Sequence, residues 1–539
     1  MNNKGIIPTT VFNKYNLRAN IDADVTSYLS LGVSANYSTI NSSLASGGQG
    51  NGSIYNNVIQ TPVDIPIREG RDLNDPFNRY DQAKGQYGFY GAYTTNPYFL
   101  LENFKNENSV DRLTGNFSVV LKPTSWLSIT ERIGLDVYSD RRFQKELRYN
   151  FQPIDPFFAG NNKTYQGNYT ESNNILNEIN NDLFASVNTK INEKFGITAV
   201  VGTNLRTRSL RILTAGVNTQ GGLVLPDFFN LDNSNGPAAT NNTLAQRRSY
   251  SAFGDLTLSY DNLLFLGATV RNDWSSTLPK ANNSYFYPSV NASFVFTDLL
   301  GENIKNVLSF GKLRASWANV GNDANPYLLT NIFALSNITT GFGSTTFPFT
   351  KGDGTSVNGF SQGVNLGNQS LKPENVEEIE LGFDLAFWQE RLTVDMAWYK
   401  RTSTEQIIPA VPISDATGYS SVTLNAGKLV NEGIELTLRG YPIKNKNVTW
   451  ELFGTYNKFT NTVEYIDKDK DPKEDQIVLG GFGGMSVVAA AGRSYGTFYT
   501  TDFRKDPPRY ESLLTTTVCL SSLQPRRILV HICQIILHR

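Results

Sequence analysis

Cysteine and histidine are missing from residues 1–518; Cys519, Cys533, His531 and His538 all fall in the final stretch. The absence removes thiol nucleophiles, histidine general bases and Cys/His zinc sites from nearly the whole chain. It also removes a disulfide framework, so hydrogen-bonded sheet and packing must hold the fold. Any catalysis would have to use carboxylates, Lys, Tyr or Ser. No run of about 18 apolar residues occurs, which excludes membrane-spanning helices. Net charge is -1, so there is no electrostatic footprint for nucleic acid. Two local patterns also lack what they would need. Asp467, Asp469 and Asp471 begin like a calcium loop, but Pro472 and Val478 stand where an EF-hand needs Gly and Glu. With Lys468, Lys470 and Lys473 interleaved, the segment reads as a solvated loop. Gly480–Gly484 has no Lys-Ser/Thr after it and no strand–loop–helix setting, so it reads as a flexible loop and not a phosphate cradle. No cofactor is expected.

What is present is a rhythm of connections. Strand-like pairs meet across short turns near 23–27, 122–126, 191–195, 261–263, 298–308, 388–391 and 440–448. Between them lie long polar excursions at 41–110, 139–180, 206–248, 321–376 and 402–428, with one shorter near 272–285. A sheet that runs up and down through a bilayer, with tight turns on one side and large loops on the other, has this property. Seven turns joining two strands each give about 14 strands.

Side-chain alternation agrees, since successive residues of a strand face opposite sides. Leu29, Leu31, Val33, Ala35 and Tyr37 alternate with Ser30, Gly32, Ser34, Asn36 and Ser38. Ile379, Leu381, Phe383, Leu385 and Phe387 alternate with Glu378, Glu380, Gly382, Asp384 and Ala386. The polar partners include charges, which a dry sandwich would not accept unpaired but a wet or plugged lumen would. Glu131 breaks the pattern: it shares a face with Leu127, Ile129, Ile133 and Leu135, so it needs a membrane edge or a protein contact. The mean hydropathy of -0.31 fits a barrel, which shows lipid only half of each strand.

Blocks spread over 5–505 carry a family resemblance. GIIPTTVFNKYNLRANIDADVTSYLSLGVSANYS (5–38), LFLGATVRNDWSSTLPKANNSYFYPSVNASFVFTD (264–298), GKLRASWANVGND (311–323), SLKPENVEEIELGFDLAFWQERLTVDMAWYKRTSTEQI (370–407) and NAGKLVNEGIELTLRG (425–440) resemble SusC/RagA-type, TonB-linked outer-membrane proteins. So does GRSYGTFYTTDFRKD (492–506). The resemblance implies an all-β, transmembrane, antiparallel up-and-down β-barrel, incomplete at about 14–15 of an expected 22 strands, with the plug domain absent. It implies uptake of glycans or peptides across the outer membrane of a Bacteroidetes-type bacterium. The partners implied are outer-membrane lipid, a SusD-like lipoprotein, and TonB through the missing plug region. No enzyme activity is expected. Met1–Thr10 shows no leader peptide, and residues 506–539 lose alternation and read as a non-native or frameshifted tail on a 1–505 partial barrel. An incomplete strand set leaves an unpaired edge, so the chain alone is expected to show an open seam and not to work as a transporter.

Candidate residues follow from placement. Trp126, Trp388 and Trp450 sit at short turns, where amphipathic rings favour the membrane–water boundary; packing at the ends of a soluble sheet is the duller alternative. Tyr90, Tyr93, Asn96 and Tyr98 in the loop 86–103, and Asn272, Asp273 and Trp274 at an external strand end, offer aromatic faces and amides to a sugar or extended peptide. Ordinary loop packing is the alternative for each. A passive porin or surface adhesin barrel without energy coupling shares all of this physics. A β-rich glycan-active enzyme would need paired carboxylates at a set separation, and leaves the loop rhythm unexplained.

Overall fold

Fourteen long strands carry the chain: β1 (Val11–Thr26), β2 (Leu29–Leu44), β3 (Phe104–Thr124), β4 (Leu127–Glu146), β5 (Asn168–Lys190), β6 (Phe195–Gly216), β7 (Ala239–Tyr260), β8 (Leu264–Ser275), β9 (Ser284–Val295), β10 (Leu308–Asn322), β11 (Glu374–Phe387), β12 (Leu392–Pro412), β13 (Ser421–Lys444) and β14 (Val448–Tyr465). The computed structural model describes residues 1–47, 52–78, 80–81, 83–91, 94–155, 157, 160, 162–335, 338–340, 343–345, 347–469, 471–472, 475–482, 484–503, 515–520 and 528–537. Residues 506–539 thus lie outside the described residues except for the backbone of 515–520 and 528–537, and Tyr93 lies outside them as well.

All seven expected turns are found. The joints at 27–28, 125–126, 191–194, 261–263, 296–307, 388–391 and 445–447 each link two long antiparallel strands. At the β7–β8 joint Asp261 and Asn262 take φ of 53° and 55°, the paired left-handed geometry that matches the twist of a two-stranded ribbon. At β11–β12 three successive residues, Trp388, Gln389 and Glu390, are left-handed, and the Trp388 N–H donates to the Val307 carbonyl at 2.8 Å.

The excursions are shorter than the sequence implies. The expected loop 402–428 contracts to 413–420, 139–180 to 147–167, and 206–248 to 217–238. A bilayer needs about 9–11 residues per strand, whereas β13 has 24 and β5 has 23. The sheet continues past that length, and the added residues of β12 and β13 mix polar side chains with Ile408, Ala426 and Leu429, which pack on a buried apolar cluster.

The chain divides into two compact units. The first holds 1–121, 130–182 and 205–247. In it β1 pairs with β2, and β2 with β3 from Leu29↔Leu121 to Leu44↔Asn106. Leu17, Ile21, Val33, Tyr37, Leu113, Phe117, Ile133, Leu135 and Ile179 lie exposed on one face of this sheet. Glu131 shares that face and accepts a hydrogen bond from the Asn181 amide, the protein contact its position requires. The dry core is in the excursions. Helix α1 (Ile54–Gln60), helix α2 (Pro97–Asn103) and the segment 147–151 bury Tyr87, Phe99, Leu100, Tyr149 and Phe151. Tyr87 stacks on Phe99 with centroids 3.7 Å apart, and Phe99 meets Tyr149 edge-on at 5.0 Å.

The second unit holds 122–129, 183–204 and 248–539. From β8 onward each long strand pairs with the next, and the registers carry one parity across the sheet. Leu313, Phe383, Met396 and Leu436 form one continuous rung, and Trp317, Ile379, Lys400 and Glu432 another. Exposed Leu266, Val270, Val290, Leu313, Ile379, Leu381, Ile434 and Leu438 all fall on this outward parity.

Candidate functional site: the charged inner face

Opposite each apolar face runs a polar one. In the first unit the inward residues of β1–β5 line an open groove of about 630 Å³ that includes Asn16, Asn36, Asn116, Asn180, Asp136 and Glu178. Cations and carboxylates pair across its strands. Arg112 grips Asp136 with two N–H donors at 2.8 and 2.6 Å, Arg132 reaches Asp182 at 2.9 Å, and Arg206 reaches Glu178 at 2.7 Å. A two-pronged guanidinium–carboxylate pair fixes both side chains, so this face is a rigid lattice of charge and amide groups. The second unit repeats the arrangement. Arg314 binds Asp384, Asp395 (3.0 Å) and Glu380 (3.4 Å), with Lys312 3.3 Å from Asp384. Arg401 pairs with Glu378, and Arg271 with Asp273 at 2.8 Å. Asp384 and Asp395 share the one Arg314 guanidinium. Among the described residues no group of three or more His, Cys, Asp or Glu is placed to hold a metal ion.

The loop candidates turn inward. Asn96 is 1% exposed. Its side chain caps α2 by accepting from the Tyr98 N–H at 2.9 Å, and its amide donates to the Gly70 carbonyl (2.7 Å) and the Asn78 oxygen (3.0 Å). Tyr90 and Tyr98 are half-buried against the aromatic core, and the Tyr90 hydroxyl donates to the Gln60 carbonyl at 3.0 Å. These residues belong to the packed loop core of the first unit. Burial holds the Tyr87 and Tyr149 phenols well above their ordinary range.

The other trio is split by the sheet. Asp273 faces inward, held by Arg271 and by the Tyr287 hydroxyl at 3.0 Å. Asn272 and Trp274 lie on the outward parity; Asn272 donates to Ser284 at 3.0 Å and Trp274 stacks on Tyr250 with centroids 5.1 Å apart. Trp274 therefore shares the face of Leu266 and Val270.

The six tryptophans of the chain occupy two levels. Trp126 and Trp388 are exposed in short turns, and Trp450 lies near the start of β14. Trp274, Trp317 and Trp398 lie six to ten residues beyond the first residue of their strands, on the outward parity. The Trp317 indole N–H donates to Glu377 at 2.9 Å and that of Trp398 to Glu432 at 3.2 Å. Sequence reading singled out Trp126, Trp388 and Trp450 at the turns, and did not single out Trp317 and Trp398. Their signal was parity with Ile379 and Leu381, which becomes legible only once the strands are aligned.

Comparison with known proteins follows this geometry. A family model described as TonB dependent receptor-like, beta-barrel matches residues 7–510. The chain is 26% identical over 489 residues to TonB-dependent receptor P26 of Formosa agariphila, covering 86% of this chain and 44% of that protein. It is 29% identical over 228 residues to TonB-dependent receptor SusC of Bacteroides thetaiotaomicron, 41% of this chain and 20% of that one. Among solved structures, the RagAB peptide transporter superposes with a TM-score of 0.69 at 18% identity, over 92% of this chain and 51% of the other. The chain spans less than half the length of these curated relatives.

Proposed function

The chain belongs to the TonB-dependent receptor-like β-barrel family of outer-membrane proteins, and from that premise we propose that it forms part of an energised importer of polar oligomers, glycans or peptides. One observation carries the reading: in each unit an apolar face is backed by a polar face of paired Arg and carboxylate side chains. Such a lattice offers a solute many equivalent hydrogen-bonding stations and no deep trap. In this reading a SusD-like lipoprotein works at the loop side, and TonB supplies the energy. Residues 1–505 supply barrel strands, and 506–539 are a non-native tail.

The test is uptake of a fluorescent maltohexaose and a fluorescent alanine hexapeptide into cells bearing the whole protein. An energised importer loses uptake when a protonophore collapses the proton gradient. Uptake that continues unchanged supports a passive porin instead. Replacing Arg112 and Asp136 together by Ala should lower the uptake rate of whichever oligomer is carried, while leaving outer-membrane abundance unchanged.

A further inference from the structure

The strand that follows β14 has one unpaired edge. Strand β15 (Gln476–Phe482) pairs with β16 (Met485–Ala490) on one side. On its other side no strand and no backbone hydrogen bond meets 476–482 among the described residues. Such an edge presents a row of N–H and C=O groups to any extended chain that approaches it. The strand is also uncovered: Val478 is 62% exposed, and a Cβ added at Gly480 would meet nothing within 4 Å.

Two cavities border this strand. The larger, of about 480 Å³, touches β15 through Gln476 and Ile477 but touches no residue of β16, which puts it on the unpaired side. The smaller, of about 300 Å³, adjoins it, since both are lined by Ala426, Gly427, Tyr465, Ile466 and Ile477. Their chemistry differs. The smaller is walled by Ile408, Leu429, Val463, Leu479 and Ala489. The larger carries Glu405, Asp467, Lys468 and Asp475. Asp475 is 2% exposed, and its two carboxylate oxygens accept the N–H groups of Ile466 at 2.7 Å and Asp467 at 2.9 Å. The segment 467–475 holds five carboxylates against three lysines, and Glu405 adds one more carboxylate. One end of the groove is therefore negative and the other apolar.

This combination selects among solutes. An acyl chain offers nothing to the strand edge. A glycan lacks a main chain with N–H and C=O repeating at strand spacing. An extended peptide has one, and strand addition of this kind takes affinity from the main chain and specificity from pockets for alternate side chains. Residues opposite each other on neighbouring strands point to the same face, so a peptide residue opposite Ile477 enters the apolar cavity. Lysine, arginine or a free α-amino group then complements the carboxylate end.

We propose that β15 and its two cavities form a docking site for an extended peptide, cationic at one end and apolar beyond it, which adds as a strand to the free edge. The inference rests on the importer reading and narrows its cargo to peptides.

The test titrates the whole protein in detergent micelles with a hexapeptide that has two lysines at a free amino end, then threonine alternating with leucine and valine, and a dye at its carboxyl end. Fluorescence anisotropy should show saturable binding. Serine in place of the leucine and valine should weaken it roughly tenfold to a hundredfold. Methylating the backbone nitrogens of alternate residues should abolish binding for one parity and spare it for the other, because only every second N–H faces the edge. Leu479→Gln should weaken binding, and Glu405→Gln/Asp467→Asn should weaken it more at low salt than at high salt. Heat-modifiable electrophoretic mobility reports whether each variant is folded. Equal effects of the two methylation parities overturn the added strand. Unchanged affinity in the folded Leu479→Gln variant overturns the cavity contact, and tighter binding of maltohexaose than of the peptide overturns the peptide as occupant. Micelles hold no proton gradient, so failure here leaves protonophore-sensitive uptake in cells standing, and passive uptake in cells leaves the docking site standing.

Discussion

Asn96 shows how much one buried amide can organise. It caps α2, ties that helix to Gly70 and Asn78, and its own N–H donates to the Tyr87 hydroxyl at 2.7 Å. Asn96→Ala should cost the cap about 1 kcal/mol and strand the Asn78 oxygen for about 1 kcal/mol more. Amide exchange across 94–103 should accelerate accordingly, with the strands unaffected. Tyr87 and Tyr149 make a second residue-scale prediction. Their folded pKa values stand above the unfolded value of about 10. Below that pH both states keep the phenol protonated and the full stability is present. As pH rises past it the unfolded chain ionises while the folded one does not, so stability falls with rising pH. Alkaline titration should therefore melt the aromatic loop domain as tyrosinate absorbance appears, and Tyr87→Phe should move that transition to higher pH.

At the scale of the strand, parity decides what a substitution does. Leu313 faces outward in the middle of β10, whereas Ser316 faces inward opposite Glu380. In a bilayer Leu313→Arg should cost roughly 2–4 kcal/mol and Ser316→Arg close to nothing; denaturant titration of refolding into liposomes separates the two. Equal costs would sink the assignment of faces. Arg314→Met leaves Asp395 and Glu380 without their cation and Asp384 with Lys312 alone. Removing one partner of a dry pair costs about 3–5 kcal/mol. Because this face is wet and the pair partly screened, the loss expected by the same titration is about 1–2 kcal/mol. Parity was readable in advance for Leu381 and Glu380. It was not readable for Asn272, Asp273 and Trp274, three neighbours with one apparent character, because only pairing with Phe286, Tyr285 and Ser284 shows which points where.

At the scale of the molecule, edges matter more than contacts. From Asn16 to Thr26 strand β1 has β2 as its partner on one side and none on the other among the described residues, and its side chains there are exposed. A row of unpaired N–H groups exchanges fast in water and is costly in lipid. Hydrogen exchange on this chain alone should be fast through 16–26 and slow through β12, which is paired on both sides. Equal protection would mean that β1 has found a partner strand.

Residue order alone determined the seven tight joints, the approximate strand count, the parities of clearly alternating strands such as β2 and β11, and the family. Each depends on local chemistry repeated with period two, so no distant contact was needed to see it. Tertiary structure decided the rest. It placed Asn96 and Tyr90 inside a loop core, because their partners Gly70, Asn78 and Gln60 lie far away in sequence. It lengthened the strands past the expected loop boundaries, because backbone pairing continues wherever a neighbouring strand stays in register. It aligned Trp398 with Lys458, and Trp317 with Lys400, because register between strands is fixed by the sheet as a whole and is written in no single segment.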